Sequence, residues 1–198
     1  MRRARAFIAA LRAYSDHPDP LVASSNFIAL LVASNQPFYP LYLWWLVSTD
    51  IAPAFGTFLS TPFFLAVPAL ARRSTLAARA LLPLTGICNT VLCAKLFGVH
   101  SAVEVFLIPC AVLALLLFRP GERVVAFAIA GLAFLCFLLL HGRYGAPAVA
   151  YTAAEYAALM RLNAVSAAAL TTCAALVFSN VLARAEGSAE SGSSQKSG

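Results

Sequence analysis

The segment 155–184 constrains the fold of this chain more than any other. It is long enough to cross a bilayer, which takes about 20 apolar residues in a helix, yet it contains several polar side chains. Four of them are spaced by 3, 7 and 7 positions and therefore share one helical face: Asn163, Ser166, Cys173 and Asn180. Lipid tails offer no hydrogen bonds, so this face is predicted to point toward other helices or a cavity.

The composition predicts an all-α integral membrane protein. Of the 198 residues, 61% are hydrophobic and 11% are charged, whereas a soluble domain has about 25% charged residues. The net charge of +6 does not indicate nucleic-acid binding, because the arginines lie at the ends of apolar runs and not in one patch. The five cysteines form no CxxC pair, so neither a disulfide framework nor a metal site is predicted.

Six apolar segments are predicted to cross the membrane as one bundle: 21–47, 51–71, 80–98, 103–118, 124–140 and 155–184. Pro37 and Pro40 predict a break in the first of them. Residues 1–20 precede the six-helix domain at 21–184, and the Gly/Ser-rich tail at 185–198 is predicted to be disordered.

Arginines determine the predicted orientation of the bundle. Within the N-terminal segment, residues 2–14 are expected to form an amphipathic helix on the membrane surface, with Arg2, Arg5 and Arg12 flanking apolar residues. Nearly all other arginines fall at one set of helix ends, which predicts that both termini are cytoplasmic.

Charged residues near the membrane are candidates for function because their insertion is costly. We expect Glu104 to pair with Arg161 or Lys95, and Glu155 to pair with Arg143. For Lys95 and Glu155, the favoured interpretation is instead that the side chains extend to the lipid headgroups.

The histidines and the other polar residues give little support to catalysis. His100 and His141 fall at outer helix ends, whereas haem inside a bundle needs a histidine within a helix. No cofactor is therefore expected, and a haem held by these two histidines is the alternative. No cluster of acids and no His–Ser pair indicates a catalytic residue. Enzymatic activity is therefore left open, but the sequence favours a protein that is not an enzyme.

The layout of the chain resembles a known membrane domain over residues 1–186. A basic amphipathic start precedes the aromatic stretch PFYPLYLWW, and short matches follow at Gly86-Ile87-Cys88 and Val177-Phe178-Ser179-Asn180. This pattern resembles the six-helix membrane sensor domain of histidine kinases that detect α-hydroxyketone quorum-sensing signals. Related six-helix anchors occur on bacterial adenylate cyclases, a few of which bind haem and respond to quinone. The resemblance implies a location in the bacterial inner membrane.

The resemblance also implies a ligand pocket, because helices four and six form it in that family. By this correspondence Glu104, Phe106 and Phe178 fall in the pocket. Thr172 and Ala174 stand where the family has phenylalanines, which implies a more polar pocket with smaller walls. No kinase or cyclase domain is recognisable in the chain, so the output is expected to come from a partner.

The sequence is therefore interpreted as a sensor-like membrane module that binds a small, partly apolar ligand in the bundle and signals to a cytoplasmic partner. The predicted ligand-binding residues are Asn89, Glu104, Phe106, Arg161, Asn163, Thr172 and Phe178. Asn89 is also expected to hydrogen-bond across to helix six. Membrane lipid is an expected partner, and a homodimer is left open. The alternatives are a transporter, an assembly subunit of a membrane complex, or a redox protein that binds haem or quinone.

Overall fold

The structure, a computed structural model, describes the backbone of residues 2–194 and the side chains of residues 9–185 and 187. Within that range the chain is helical or irregular and contains no β-strand, which confirms the predicted all-α class. Among the described residues, four helices are long and apolar enough to cross a membrane: Ala52–Ala71, Thr75–Phe97, Pro120–Leu140 and Ala153–Ala185. Their length and composition fit a membrane protein.

The described helices are α1 (Arg2–Ser15), α2 (Pro20–Asn35), α3 (Tyr39–Leu46), α4 (Thr61–Ala71), α5 (Thr75–Phe97), α6 (Leu107–Leu116), α7 (Arg123–Leu140) and α8 (Ala153–Ser194). Short 3₁₀ segments join or extend them: Gln36–Phe38, Ala52–Ser60, Val99–Ser101, Val103–Phe106 and Pro120–Glu122. The predicted fourth span corresponds to the shorter apolar stretch Val103–Leu116. The predicted first span corresponds to α2 and α3 together.

The first apolar segment is broken where its prolines fall. The Asp19 carboxylate accepts a hydrogen bond from the Leu21 amide at 3.0 Å and so caps α2, which begins at Pro20. The 3₁₀ segment Gln36–Phe38 then separates α2 from α3. Pro37 and Pro40 have no amide hydrogen to continue the helical ladder, so the predicted break is confirmed.

Helix α5 lies at the centre of the bundle and packs against α2, α4, α6 and α7. It approaches α6 closely at Gly86, where an added Cβ would lie 2.6 Å from the Cys110 sulfur. One buried cluster joins α2, α4, α5, α6, α7 and α8. A second, smaller one surrounds Phe97 at the C-terminal end of α5.

The opposite end of α5 is held by a buried ion pair. Arg79, only 2% exposed, donates to both carboxylate oxygens of Glu122 at 2.7 Å and to the Leu117 carbonyl at 2.8 Å. These bonds join α5 to the turn between α6 and α7. Arg79 thus stabilises helix packing. From the sequence alone, its position at a helix end indicated only the orientation of the bundle in the membrane.

Helix α8 contacts the bundle through a narrow face. Leu159, Asn163, Ala167 and Ala174 are buried, whereas Asn180 is exposed. The prediction that one polar stripe faces inward is therefore correct for Asn163 and wrong for Asn180. The repeat of seven residues drifts about 20° per step around a straight helix, which carries the later polar residues away from the bundle.

The C-terminal end of α8 differs from the prediction of a disordered tail beginning at residue 185. The helix continues to Ser194, and residues 195–198 lie outside the described part of the chain. Extending an existing helix avoids the cost of nucleation, and four of the residues 185–194 are alanine or glutamate, which favour the helical state more than the six glycines and serines there.

Candidate functional site

The bundle contains a partly open cavity of ≈ 130 Å³. We call it the central cavity, and its walls come from five parts of the chain: the α2–α3 break, the segment Ala52–Ser60 with α4, α5, the arm formed by Val103–Phe106 and α6, and α8. Its polar lining residues are Asn35, Gln36, Tyr39, Thr57, Asn89, Thr90, Cys93 and Cys110. Two of the predicted site residues, Asn89 and Phe106, line it.

Most polar groups around the central cavity already have partners within the protein. The Gln36 amide nitrogen donates to the Thr57 carbonyl at 2.9 Å and to the Ser60 hydroxyl at 2.6 Å. The Gln36 amide oxygen accepts from the Thr61 hydroxyl at 2.6 Å. Gln36 therefore joins the break between α2 and α3 to the segment Ala52–Ser60 and to α4. Its amide is not available to a ligand.

Asn89 is a polar residue of the cavity wall with hydrogen-bonding capacity to spare. Its amide oxygen accepts one weak bond, from the Cys93 thiol at 3.9 Å on the same helix. The predicted hydrogen bond from Asn89 to helix six is therefore wrong: among the described residues, the Asn89 side chain bonds only to Cys93 of its own helix. Its amide nitrogen has two hydrogens that suit a carbonyl or hydroxyl oxygen of a guest.

The central cavity is connected to α8 through Tyr39. The Tyr39 hydroxyl donates to the Asn163 amide oxygen at 3.2 Å, and the Asn163 amide nitrogen donates to the Ser101 carbonyl at 2.9 Å. Asn163 is completely buried. It therefore joins α8 to α3 and to the turn after α5, while Leu170 of α8 lines the cavity directly.

A second concavity of ≈ 650 Å³, here called the outer groove, lies between α7 and the arm that contains α6. It is almost entirely apolar, and Glu104 and His141 line it where α7 ends. A Glu104 oxygen lies 2.6 Å from His141 Nδ1. The Glu104 side chain is 5% exposed, and its other oxygen, Oε1, is buried without a hydrogen-bond partner.

The backbone is strained next to Glu104. Ala102, which also lines the outer groove, has a φ of 53° in the left-handed region. This conformation costs an alanine about 1 kcal/mol or more relative to an ordinary helical one. Backbone strain of this kind is concentrated at functional sites, so it adds to the interest of this end of the groove.

Tyr144, in the loop after α7, is a close neighbour of Glu104. Its hydroxyl is buried and has no hydrogen-bond partner. Burial first, and then the nearby Glu104 carboxyl, raises the pKa of Tyr144 well above its ordinary value. The phenol therefore stays protonated, and its hydroxyl can donate a hydrogen bond to the neighbouring Glu104 carboxyl.

The structure divides the seven predicted site residues instead of gathering them. Asn89 and Phe106 line the central cavity, Asn163 contacts one of its lining residues, and Glu104 lines the outer groove. The remaining three lie elsewhere on α8. Arg161 and Thr172 are exposed, and Phe178 packs against the larger buried cluster.

The expected pairing of the outer charges is wrong. Glu104 contacts His141 and not Arg161 or Lys95. Lys95 donates to the carbonyls of Tyr144 and Ala146, at 2.7 and 3.1 Å. These residues all lie near the same helix ends, and the rotation of each helix determines which of them meet.

Glu155 caps α8 instead of pairing with Arg143. Its carboxylate accepts from the amide and the hydroxyl of Thr152, both at 2.8 Å, and the Glu155 amide donates back to the Thr152 hydroxyl at 3.3 Å. This reciprocal arrangement is a capping box. The Thr-x-x-Glu spacing in the sequence is the signal that predicts it.

The two outer histidines have different surroundings. His141 contacts Glu104, and the His100 ring packs edge-on against Tyr156 with centroids 5.6 Å apart. Within the described residues, no group of three or more His, Cys, Asp or Glu side chains is arranged to hold a metal ion. That no cofactor is bound stays a prediction, with a haem or quinone as the alternative.

The sequence argument did not single out Tyr39 or Gln36, and it considered His141 only as an alternative haem ligand. Gln36 and Tyr39 flank Pro37 at the helix break, where polar side chains often satisfy the backbone groups that a proline leaves free. That position is the signal that would have marked them. No protein-family model matches the chain, and no curated protein matches its sequence. The functional argument therefore depends on the geometry.

Proposed function

We propose that the chain crosses the membrane six times, with both termini in the cytoplasm and α1 on the membrane surface. Four long helices support four of the crossings. Residues 20–46 add a path of 27 residues, about 40 Å at helical rise, and Val103–Leu116 adds a short crossing. Arginines at the proposed inner helix ends support the orientation: Arg12, Arg72, Arg73, Arg79, Arg119, Arg123 and Arg184.

Within that bundle, we propose that the protein is a sensor for a small, partly apolar molecule. The observation that carries the proposal is the central cavity, which is lined by five parts of the chain and has an amide with spare hydrogen-bonding capacity at Asn89. A molecule with an apolar body and one carbonyl or hydroxyl oxygen fits this lining. Such sites combine a largely apolar surface with a few polar groups that fix orientation.

Helix α8 supplies a route from the central cavity to a cytoplasmic partner. The bonds from Tyr39 to Asn163 and from Asn163 to Ser101 connect the cavity region to α8. The helix has 42 residues, about 63 Å, which is roughly twice the thickness of the hydrocarbon core. A ligand shifts α8 only if it binds two arrangements of the bundle with different affinity.

Native mass spectrometry of protein purified in mild detergent tests ligand binding. We expect the wild type to retain a small molecule and Asn89→Leu to lose it, since leucine has a similar volume and no amide. Asn180→Leu is the matched control, because Asn180 is exposed on α8 away from the cavity. Equal retention by both variants, or a wild type with no bound molecule, would remove the proposal.

Hydrogen exchange tests transmission separately. We expect removal of the retained molecule to change amide exchange in the C-terminal half of α8 in the wild type. In Asn163→Leu the molecule should still bind, but this change should be lost because the link through Tyr39 is broken. An identical response in the variant would show that α8 is coupled by another route.

The exposure of α8 favours a second candidate, an assembly subunit. Of the four long helices, α8 has the smallest buried share of its apolar window. The exposed face of α8 contains many small residues, whereas the exposed face of α7 is rich in phenylalanine and leucine. Small residues let helices approach closely in a membrane. A stoichiometric second protein in the native mass spectrum, with the central cavity empty, would favour this function over a sensor.

A further inference from the structure

The central cavity is small for a ligand site. Its volume is ≈ 130 Å³, whereas sites for drug-sized molecules measure about 300 Å³ or more. A dry cavity of about 150 Å³ in a protein core holds benzene, so the central cavity has room for about six carbon or oxygen atoms. A larger molecule fits only if part of it extends out of the cavity.

The central cavity has an open side at Asn35, the last residue of α2. Asn35 lines the cavity and is exposed, whereas the other described lining residues are buried or half-buried. The 3₁₀ segment Gln36–Phe38 begins directly after it, and the Asn35 side chain makes no capping hydrogen bond there. We call this open side the mouth of the central cavity.

In the proposed topology the mouth faces the hydrocarbon core. Asn35 lies 15 residues after Pro20, where α2 begins, which is about 22 Å at helical rise. Trp44 and Trp45, both exposed, follow after about another 14 Å and are typical of the outer interface. The hydrocarbon core is about 30 Å thick, so Asn35 falls within its outer half. Acyl chains, and not water, therefore lie outside the mouth.

From this geometry we propose that Asn35 marks a lateral entrance, through which molecules dissolved in the bilayer reach the central cavity. A polar group that leaves the lipid meets the Asn35 amide at the mouth and the Asn89 amide inside. Any apolar part that exceeds the cavity stays in the hydrocarbon. This inference rests on the proposed sensor function, because it assigns the route of entry to the same cavity.

A homologous series of alcohols tests the entrance in the full chain. Straight-chain alkan-1-ols from butanol to dodecanol are added to the protein in nanodiscs at equal mole fraction in the lipid, and affinity is obtained from the increase in Tm. We expect affinity to rise until the cavity is full and then to stay level, because further methylene groups lie in lipid before and after binding. In a cavity closed to lipid, methylene groups beyond the fit would instead reduce affinity by about tenfold or more.

Substitutions at two positions locate the opening. Asn35→Trp places a large ring in the mouth, so short alcohols should still bind while long ones lose affinity by about tenfold or more. Asn35→Leu keeps the size of the side chain and should behave as the wild type. Leu59→Trp is the control at another site, because Leu59 lines a separate groove of ≈ 360 Å³ between α4 and α5 that also reaches Asn89.

Photocrosslinking tests what lies outside the mouth without any added alcohol. The photoreactive amino acid benzoylphenylalanine replaces Asn35, the protein is irradiated in nanodiscs, and the adducts are identified by mass spectrometry. We expect adducts with the acyl chains of phospholipid. Adducts only with other helices of the chain, or with a second copy of it, would show that protein covers the mouth and would overturn the inference.

Failure of the entrance and failure of the sensor function give different results. A wild type that binds short alcohols and rejects long ones has a closed cavity, which refutes the entrance and leaves the sensor proposal standing. Rejection of long alcohols by Leu59→Trp and not by Asn35→Trp would overturn the assignment to Asn35 and place the opening between α4 and α5. If the wild type binds no alcohol of any length, both proposals fall.

Discussion

Removal of Glu122 is predicted to destabilise the protein more than removal of its partner Arg79. The two residues form two hydrogen bonds of 2.7 Å, but their burial differs: the Arg79 side chain is 2% exposed and that of Glu122 is 25% exposed. In Glu122→Ala the guanidinium stays buried with only the carbonyls of Leu117 and Thr75, at 2.8 and 3.2 Å. In Arg79→Met the carboxylate left behind can be hydrated.

The expected losses of stability follow from the difference in burial between Arg79 and Glu122. Breaking a buried ion pair so that one charge stays buried costs about 3–5 kcal/mol. The partial exposure of Glu122 and the two remaining carbonyls favour the lower end, so we expect about 3 kcal/mol for Glu122→Ala. For Arg79→Met we expect about 1–2 kcal/mol, the cost of the lost hydrogen bonds. The double variant should cost less than the sum, because the two side chains are coupled.

Thermal unfolding in detergent measures these differences. A thiol-reactive fluorogenic dye reports unfolding through the buried Cys93 and Cys110. For a chain of this size 3 kcal/mol corresponds to a decrease in Tm of about 6–12 °C. Arg119→Met is the matched control, since Arg119 is 59% exposed in its pair with Asp19 and should cost at most about 1 kcal/mol. Equal effects of Glu122→Ala and Arg119→Met would refute the reasoning.

Three further substitutions test other contacts, with the same unfolding assay. Asn163→Leu should cost about 0.6–1.7 kcal/mol through two lost interhelical hydrogen bonds, whereas the half-buried Ser166→Ala should be nearly neutral. Gly98→Ala should cost about 1 kcal/mol or more, because φ at Gly98 is +80° and the new Cβ would lie 3.3 Å from Cβ of Pro147. Gly121→Ala is the control, because a Cβ added there would meet no atom within 4 Å. Ala102→Gly should stabilise by up to about 1 kcal/mol by relieving left-handed strain, and a loss of stability there would contradict the strain argument.

Features set by local chemistry were predicted well from the sequence. The break in the first apolar segment follows from Pro37 and Pro40, which lack an amide hydrogen wherever the chain packs. Such a break does not depend on how the helices are rotated against one another. The burial of Asn163 was also predicted, but the same reasoning was wrong for Asn180, because the rotation of α8 determines which of its polar residues face the bundle.

Pairings between helices were not predictable in the same way. Four titratable side chains fall near the same helix ends: Lys95, Glu104, His141 and Glu155. Several pairings among them would balance the charges equally well, and the sequence does not distinguish these pairings. The structure pairs Glu104 with His141 because α6 and α7 are packed side by side, while Lys95 reaches the carbonyls of the loop after α7. A shift of one residue along a helix turns a side chain by 100°, which exceeds what a hydrophobic pattern can resolve.

Arg161 shows how a residue can be prominent in the sequence for a reason other than ligand binding. It lies 23 residues before Arg184 on α8, about 35 Å along the helix, and both side chains are exposed. The hydrocarbon core is about 30 Å thick, so in the proposed topology the two arginines lie at its two boundaries. Leu170 then lies well inside the hydrocarbon region, and it lines the central cavity. A molecule that reaches this depth must leave water, which favours a largely apolar ligand with one polar atom for Asn89 over an ionic one.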